Sequence, residues 1–200
     1  MKGAPDTILR FWFGDGTDNA ETARQQAALW WSKQPAIDSG IRQQFAAWVP
    51  AAAFGQFANW RDYPGGRLAL IILLDQFPRN LYRGSPQSFA YDAQAREEAI
   101  ALIRSGQHRQ LRLIERVFAY LPLEHSEIAA HQEQSVELFE ALHNEAPAQE
   151  KSVFAGYVNF AHRHRDIVLR FGRFPHRNAV LGRASTQEEL AFLAQPGSSF

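Results

Sequence analysis

Apolar residues recur along this chain at helical spacing, and the longest uninterrupted apolar run is Leu68–Leu74. Ile71 and Ile72 would suit a strand there, but a strand needs a partner. No second segment of comparable β character exists to pair with it, so the run reads as a helix buried on all sides. The rest of the chain agrees. Thr7–Phe13 is a short helix stopped by Gly14-Asp15-Gly16, and Asn19 can cap a second helix running through Trp30 and Trp31. Pro35 suits the first turn of a third, which carries Ile37, Ile41, Phe45 and Trp48 on one stripe. Ala51–Trp60 reads as another.

Further along, Asp92–Arg104 is a helix closed by Gly106. Leu111–Tyr120 is read as stopped by Pro122, and Pro122 as opening a long helix to about Asn144. Gln149–Phe171 follows, ended by Gly172 and Pro175, and Ser185-Thr186-Gln187-Glu188 is read as a capping box for a last helix. Helices joined by short loops predict one all-α domain over all 200 residues, a stack of about nine to ten helices. All five tryptophans lie in the first sixty residues, so that half should hold an aromatic core.

Two stretches nearly repeat one another. Leu73-Leu74-Asp75-Gln76-Phe77-Pro78-Arg79-Asn80 is echoed by Arg170-Phe171-Gly172-Arg173-Phe174-Pro175-His176-Arg177-Asn178. In each, an apolar run ends in Phe-Pro and charged or polar groups follow. Asp75 is placed at the end of the most apolar helix, where a carboxylate opposes the helix dipole by roughly 0.3–1 kcal/mol. If buried it needs a partner. Arg79 is the nearest candidate, and Arg173 or Arg177 would join the two repeats. A purely structural ion pair between helix ends is the competing reading.

The helix expected from Pro122 places His125, Ile128, Gln132, Ser135, Phe139 and Leu142 on its inner face. Three of these are polar, which a simple core avoids. The following helix directs His164 inward with Tyr157, Ala161, Val168 and Phe171, whereas His162 faces solvent beside Arg165 and Asp166. Together these residues suggest a polar site. Arg79, Asn80, Arg173, Arg177, Asn178 and Gln132 are its candidate ligand-binding groups. His125 and His164 are candidate proton donors or acceptors, with Glu124 or Asp75 fixing the imidazole tautomer. Arginines near helix ends suit a carboxylate or phosphate.

Other chemistries have less support. The sequence has no glycine-rich phosphate loop, dinucleotide fingerprint, nucleophile elbow or His-Glu-x-x-His motif. Cysteine is absent, which removes disulfides and thiolate chemistry. His125, His164, Glu124 and Asp75 have the donor types for a divalent ion, as do Glu127 with His131 and His162 with Asp166. Such acid–histidine pairs are common by chance, so we expect no metal or cofactor. Formal net charge is zero, without the basic surplus of a nucleic-acid binder. The apolar run is too short to cross a bilayer. No apolar signal core follows Met1-Lys2-Gly3-Ala4-Pro5-Asp6, so the expected setting is the cytoplasm.

Three motifs carry a family resemblance. They are Leu74-Asp75-Gln76-Phe77-Pro78-Arg79-Asn80, Leu121-Pro122-Leu123-Glu124-His125-Ser126-Glu127, and the stretch from His164 through Arg170–Asn178. With Phe11-Trp12-Phe13 and Leu181-Gly182-Arg183-Ala184-Ser185-Thr186, they resemble the mainly bacterial domain of unknown function 924. The resemblance implies a tetratricopeptide-like helical superhelix, although the chain carries no tetratricopeptide consensus or period. It implies no activity. Two functions stay open: a site for a small anionic molecule with acid–base chemistry, or a peptide-interaction groove without catalysis.

Overall fold

In the computed structural model, residues 4–199 are described. They are 73% helical and contain no strand. The α-helices are α1 (Ala4–Phe13), α2 (Asn19–Trp31), α3 (Pro35–Phe45), α4 (Trp48–Ala53), α5 (Pro64–Ile71), α6 (Phe77–Leu81), α7 (Asp92–Arg104), α8 (Leu113–Glu124), α9 (Ala129–Glu145), α10 (Lys151–Phe171) and α11 (Gln187–Leu193). The stretch read as Ala51–Trp60 is instead split between α4 and a 3₁₀ turn at Ala58–Asp62, with a turn through Gly55 between them.

The apolar run is the hub. Every residue from Leu68 to Leu74 is buried, and α5 packs against α1, α7 and α8. Its N-terminal end presses on the 3₁₀ turn: a Cβ on Gly66 would lie 2.3 Å from the Trp60 carbonyl oxygen. Only glycine permits that approach. The outer layer is an antiparallel hairpin of α9 and α10, reached through α8.

The aromatic core forms where the tryptophans predict it. Trp12 meets Phe118 at 5.5 Å between ring centroids, and Trp30 meets Phe118 at 4.7 Å, both edge-on. The Trp30 indole N–H donates to the Trp12 carbonyl at 2.9 Å. Such pairs add about 0.5–1.5 kcal/mol each beyond the area they bury. Trp31 is an exception. It is half-exposed and lies flat over Phe118 from outside.

Several helix ends differ from expectation, each for a local reason. Asp18, not Asn19, caps α2, accepting from the Glu21 N–H at 2.7 Å. Asn19 instead donates to Glu150 at 3.0 Å. The last capping box is one residue further on, between Thr186 and Glu189. Pro122 neither stops one helix nor starts the next. It lies inside α8, which continues to Glu124, and the His125 N–H still donates to the Leu121 carbonyl at 2.8 Å. Proline lacks only its own N–H, so helix beyond it survives if the chain is held there.

The first Phe-Pro motif is also not a helix end. α5 and α6 are continuous through a π turn at Ile72–Gln76, where the Phe77 N–H reaches back to the Ile72 carbonyl. That wider turn accommodates Pro78 within a single helical run. Asp75 is therefore carried on a π bulge in the middle of a buried helix, rather than on a helix's last turn.

Candidate functional site

The π bulge turns Asp75 into the interior, where its side chain is fully buried. Its Oδ1 accepts from His125 Nδ1 at 2.8 Å and pairs with Arg79 Nη1 at 3.1 Å. The Gln76 amide donates to Oδ2. Burial alone would raise the Asp75 pKa, but the Arg79 charge, then His125, bring it down to about 2. Arg79, four residues on, also donates to both carboxylate oxygens of Asp92, at 2.8 and 3.1 Å. Asp92 opens α7, where a carboxylate is favoured by the helix dipole.

His125 is the C-cap of α8, and Glu124 is the residue before it. Neighbours in a helix diverge, so the two point to different partners. His125 meets Asp75. Glu124 meets His164 of α10, with Oε1 at 3.1 Å from His164 Nδ1. His164 Nδ1 also lies 2.9 Å from the Phe160 carbonyl, which accepts its proton. The two imidazole rings are 6.3 Å apart. The site is thus a pair of crossed carboxylate–imidazole couples, linked covalently through residues 124 and 125.

The couples differ electrostatically. Burial, then the Asp75 charge, push Glu124 up to about 8, so it is mostly protonated at neutral pH. Burial pulls His164 down to about 3. Burial, then Arg79, lower His125, with Asp75 opposing. Both imidazoles are therefore neutral at pH 7. His125 donates through Nδ1, and its Nε2 has a lone pair and no hydrogen-bond partner among the described residues.

Arg177, on the 3₁₀ turn Pro175–Arg177, completes the cluster. Its guanidinium lies between Phe89 and Phe174, at 4.7 and 4.5 Å from the ring centroids. Asp92 is its nearest carboxylate, at 3.6 Å. Its Nε is buried and has no hydrogen-bond partner among the described residues. Burial, then Arg79, lower its pKa to about 10. His176 beside it is held down to about 4 by burial, then by Arg177.

The structure brings together Asp75, Arg79, Glu124, His125, His164 and Arg177. Asn80, Arg173, Asn178 and Gln132 lie in other contacts. Asn80 donates to Asp38 at 2.9 Å, a carboxylate shared with Arg83. Arg173 forks onto Glu189 at 2.6 and 2.8 Å, and Asn178 reaches Ser185 and the same Glu189, so both anchor α11. Gln132 belongs to α9 and does not share a helix with His125, as the reading from Pro122 had supposed. Its amide donates to the carbonyls of Leu123, Glu124 and Ser126, which fastens the end of α8. Ile128, expected inside, is half-exposed.

Sequence reasoning passed over Asp92, Phe89, Phe174 and His176. Asp92 looks like any acid in a first helical turn, and the rings look like ordinary core. Glu127 also has a role not foreseen: it accepts from the Phe174 N–H at 2.8 Å and from Arg183 at 2.7 and 2.9 Å. It thereby fixes the loop that presents Arg177. Among the described residues no group of three or more His, Asp or Glu side chains is arranged to hold a metal ion. No described helix is long and apolar enough to cross a membrane.

Comparison with known proteins agrees with this architecture. Residues 8–197 match the family described as bacterial protein of unknown function (DUF924), and the chain belongs to it. A solved structure of a protein of unknown function from Agrobacterium tumefaciens, ATU0120, is 36% identical. The match has a TM-score of 0.81 and covers 96% of this chain and 98% of that one. No curated protein matches.

Proposed function

We propose that this DUF924 protein binds a small carboxylate or phosphate against Arg177 and exchanges a proton with it through His125. The observation that carries this reading is the state of Arg177. It is a buried cation with an unpartnered Nε and one distant carboxylate, close enough to His125 to depress its pKa. A guanidinium taken from water in this way is costly, and an anion would supply the missing bonds.

The formal charges of the cluster balance with Arg177 included, so what Arg177 lacks is hydrogen-bond partners rather than a counter-charge. Asp75 and Asp92 oppose Arg79 and Arg177, and Glu124 stays protonated at neutral pH. Asp75 holds His125 through Nδ1, so Nε2 is the nitrogen that meets the ligand, first as a proton acceptor and then as a donor. Environments that push paired groups apart in pKa are how one site obtains an acid and a base at the same pH. Glu124, protonated, is the complementary proton store.

The alternative, a peptide lying in a tetratricopeptide-like groove, needs arginines along an open face. Arg79 and Arg177 are instead mostly enclosed by carboxylates and rings, which favours a small ion. We infer a cytoplasmic setting as well, in keeping with the absence of cysteine.

Thermal shift with phosphate, citrate and acetate tests the site. Wild type should be stabilised by at least one of them, and Arg177→Met should not respond. Equal shifts in both proteins would place the anion elsewhere and end this reading.

A further inference from the structure

A second cleft lies away from this cluster, between the 3₁₀ turn Gln107–Gln110, α8 and α9. Its volume is about 350 Å³, which falls within the range of small-molecule sites. Leu138, Ala141 and Leu142 form an apolar side. The polar side holds His108, Tyr120 and Arg116, with Arg109 and Glu145 at the mouth.

Three features of the polar side are not explained by packing. His108 is 9% exposed, and its Nδ1 is buried without a hydrogen-bond partner among the described residues. Backbone groups of Leu102 and Ile103 near the ring favour its protonated form, and the neutral ring can offer a lone pair at Nδ1. Burial, along with Arg116 and Arg109, lowers the pKa of the ring and keeps it neutral. The Tyr120 ring stands edge-on to His108 at 5.9 Å. Its hydroxyl stays protonated, its pKa raised to about 12 by burial. That hydroxyl has no hydrogen bond among the described residues.

Charge is left over at the mouth. Arg116 is fully used: it donates to the Leu111 and Arg109 carbonyls and to Glu145, at 3.0, 2.7 and 2.7 Å. Glu145 is thereby neutralised. Arg109 has no carboxylate partner among the described residues, so the cleft carries one uncompensated positive charge.

We propose that this cleft is a second binding site, for a small aromatic carboxylate bearing a ring hydroxyl. The ligand hydroxyl donates to His108 Nδ1 and accepts from the Tyr120 O–H. The flat ring packs on Leu138 and Leu142, and the carboxylate meets Arg109. A single hydroxyl meets both inner groups because it is donor and acceptor at once. The site is independent of Arg177.

Nitrogen-detected NMR of the histidine rings, with 4-hydroxybenzoate as probe and benzoate as control, tests this. The expected result is a shift of the His108 Nδ1 resonance on adding 4-hydroxybenzoate. Benzoate should bind about tenfold more weakly, the loss expected for one net hydrogen bond. Tyr120→Phe should reduce the difference between the two probes, and Arg109→Gln, at an exposed position, should weaken both. Arg177→Met should leave the His108 shift intact, which separates this site from the first. Equal binding of the two probes, a shift that disappears with Arg177, or no binding of either probe at millimolar concentration would each overturn the proposal.

Discussion

His125 Nδ1 and Asp75 Oδ1 meet at 2.8 Å and join the end of α8 to a π bulge in the most buried helix. The residues are fifty apart in sequence. Without the bulge, Asp75 would not have this place in a continuous helix. The hydrogen bond fixes which His125 nitrogen carries the proton, and so which one is available to a ligand.

This relationship has a pH signature. Asp75 has a folded pKa of about 2, below its ordinary 3.8. A depressed carboxylate contributes stability that is present above the unfolded pKa and is lost as pH falls through the folded one. Urea unfolding should therefore show stability falling between about pH 4 and pH 2, by roughly 2 kcal/mol from this group. Asp75→Asn should lose that part of the acid limb, while Glu189, also held down to about 2, keeps its own. The variant should also be less stable at pH 7 by about 3–5 kcal/mol, since Arg79 loses a buried partner. An unchanged acid limb in the variant would mean that Asp75 is not the group responsible.

Glu124 carries the opposite sign. Its folded pKa is about 8 against an ordinary 4.5. The folded state then holds a proton that the unfolded state has released, so the contribution of Glu124 declines as pH rises from about 5 to 8. Buried neutral histidines such as His164 and His176 contribute in the opposite sense below about pH 6.5. Glu124→Gln keeps the shape and removes the titration. The variant should gain on wild type steadily as pH rises through that window and should exceed it at pH 8, by roughly 2–4 kcal/mol. Denaturant midpoints at pH 5 and pH 8 for both proteins decide it: parallel profiles would mean that Glu124 is ionised throughout.

Much of this site was legible before the fold was known, and the reason is chemical. Asp75, His125 and His164 each break a local rule by lying within apolar surroundings, and a rule broken at that cost needs a partner; Arg177 is marked by the repeated Phe-Pro motif. What was not legible was the partnering. Pro122 reads as a helix boundary, which would put His125 and Gln132 on one face. In the fold it is interior, and Gln132 instead caps the carbonyls that α8 leaves open. Pro78 likewise reads as a stop, but a π turn carries the helix through it. Asn80, Arg173 and Asn178 share motifs with the site residues, yet Asp38 and Glu189 hold them elsewhere. Motif membership brought them to attention, and only three-dimensional pairing separates them.

Arg177 should contribute little to stability. Its ring contacts survive in a thioether of similar length, and its ion pair at 3.6 Å is poorly formed. Replacing a buried, badly paired charge with an apolar side chain is often neutral or stabilising. Arg177→Met should unfold within about 1 kcal/mol of wild type, or above it. A loss of 3–5 kcal/mol would instead mark Arg177 as a structural strut between α7 and the Phe-Pro turn.

Gly66 predicts a loss that is purely steric. A methyl group at this position meets the Trp60 carbonyl at 2.3 Å and the Tyr63 ring at 2.8 Å. Backbone cannot withdraw cheaply, so Gly66→Ala should destabilise despite its better helix propensity, by about 1–3 kcal/mol. Thermal melting compares it with Gly156→Ala in α10, where nothing lies within 4 Å and alanine should stabilise.

Gln132 is the most demanding case, because it was first read as a ligand-binding group. It is fully buried, and its amide serves three carbonyls at the end of α8, at 3.4, 2.6 and 2.6 Å. The Leu123 carbonyl also accepts from the Ser126 N–H at 3.1 Å, so the carbonyls of Glu124 and Ser126 are the ones that depend on the amide. Gln132→Met keeps the volume and strands the carbonyls, at a cost of about 1–3 kcal/mol for each that stays dry. The expected outcome is a lower urea midpoint with an unchanged denaturant slope. His125, released with the helix end, should also titrate closer to its ordinary value in NMR. A variant as stable as wild type, with His125 unmoved, would show that the amide holds nothing in place and would return Gln132 to the ligand-binding set.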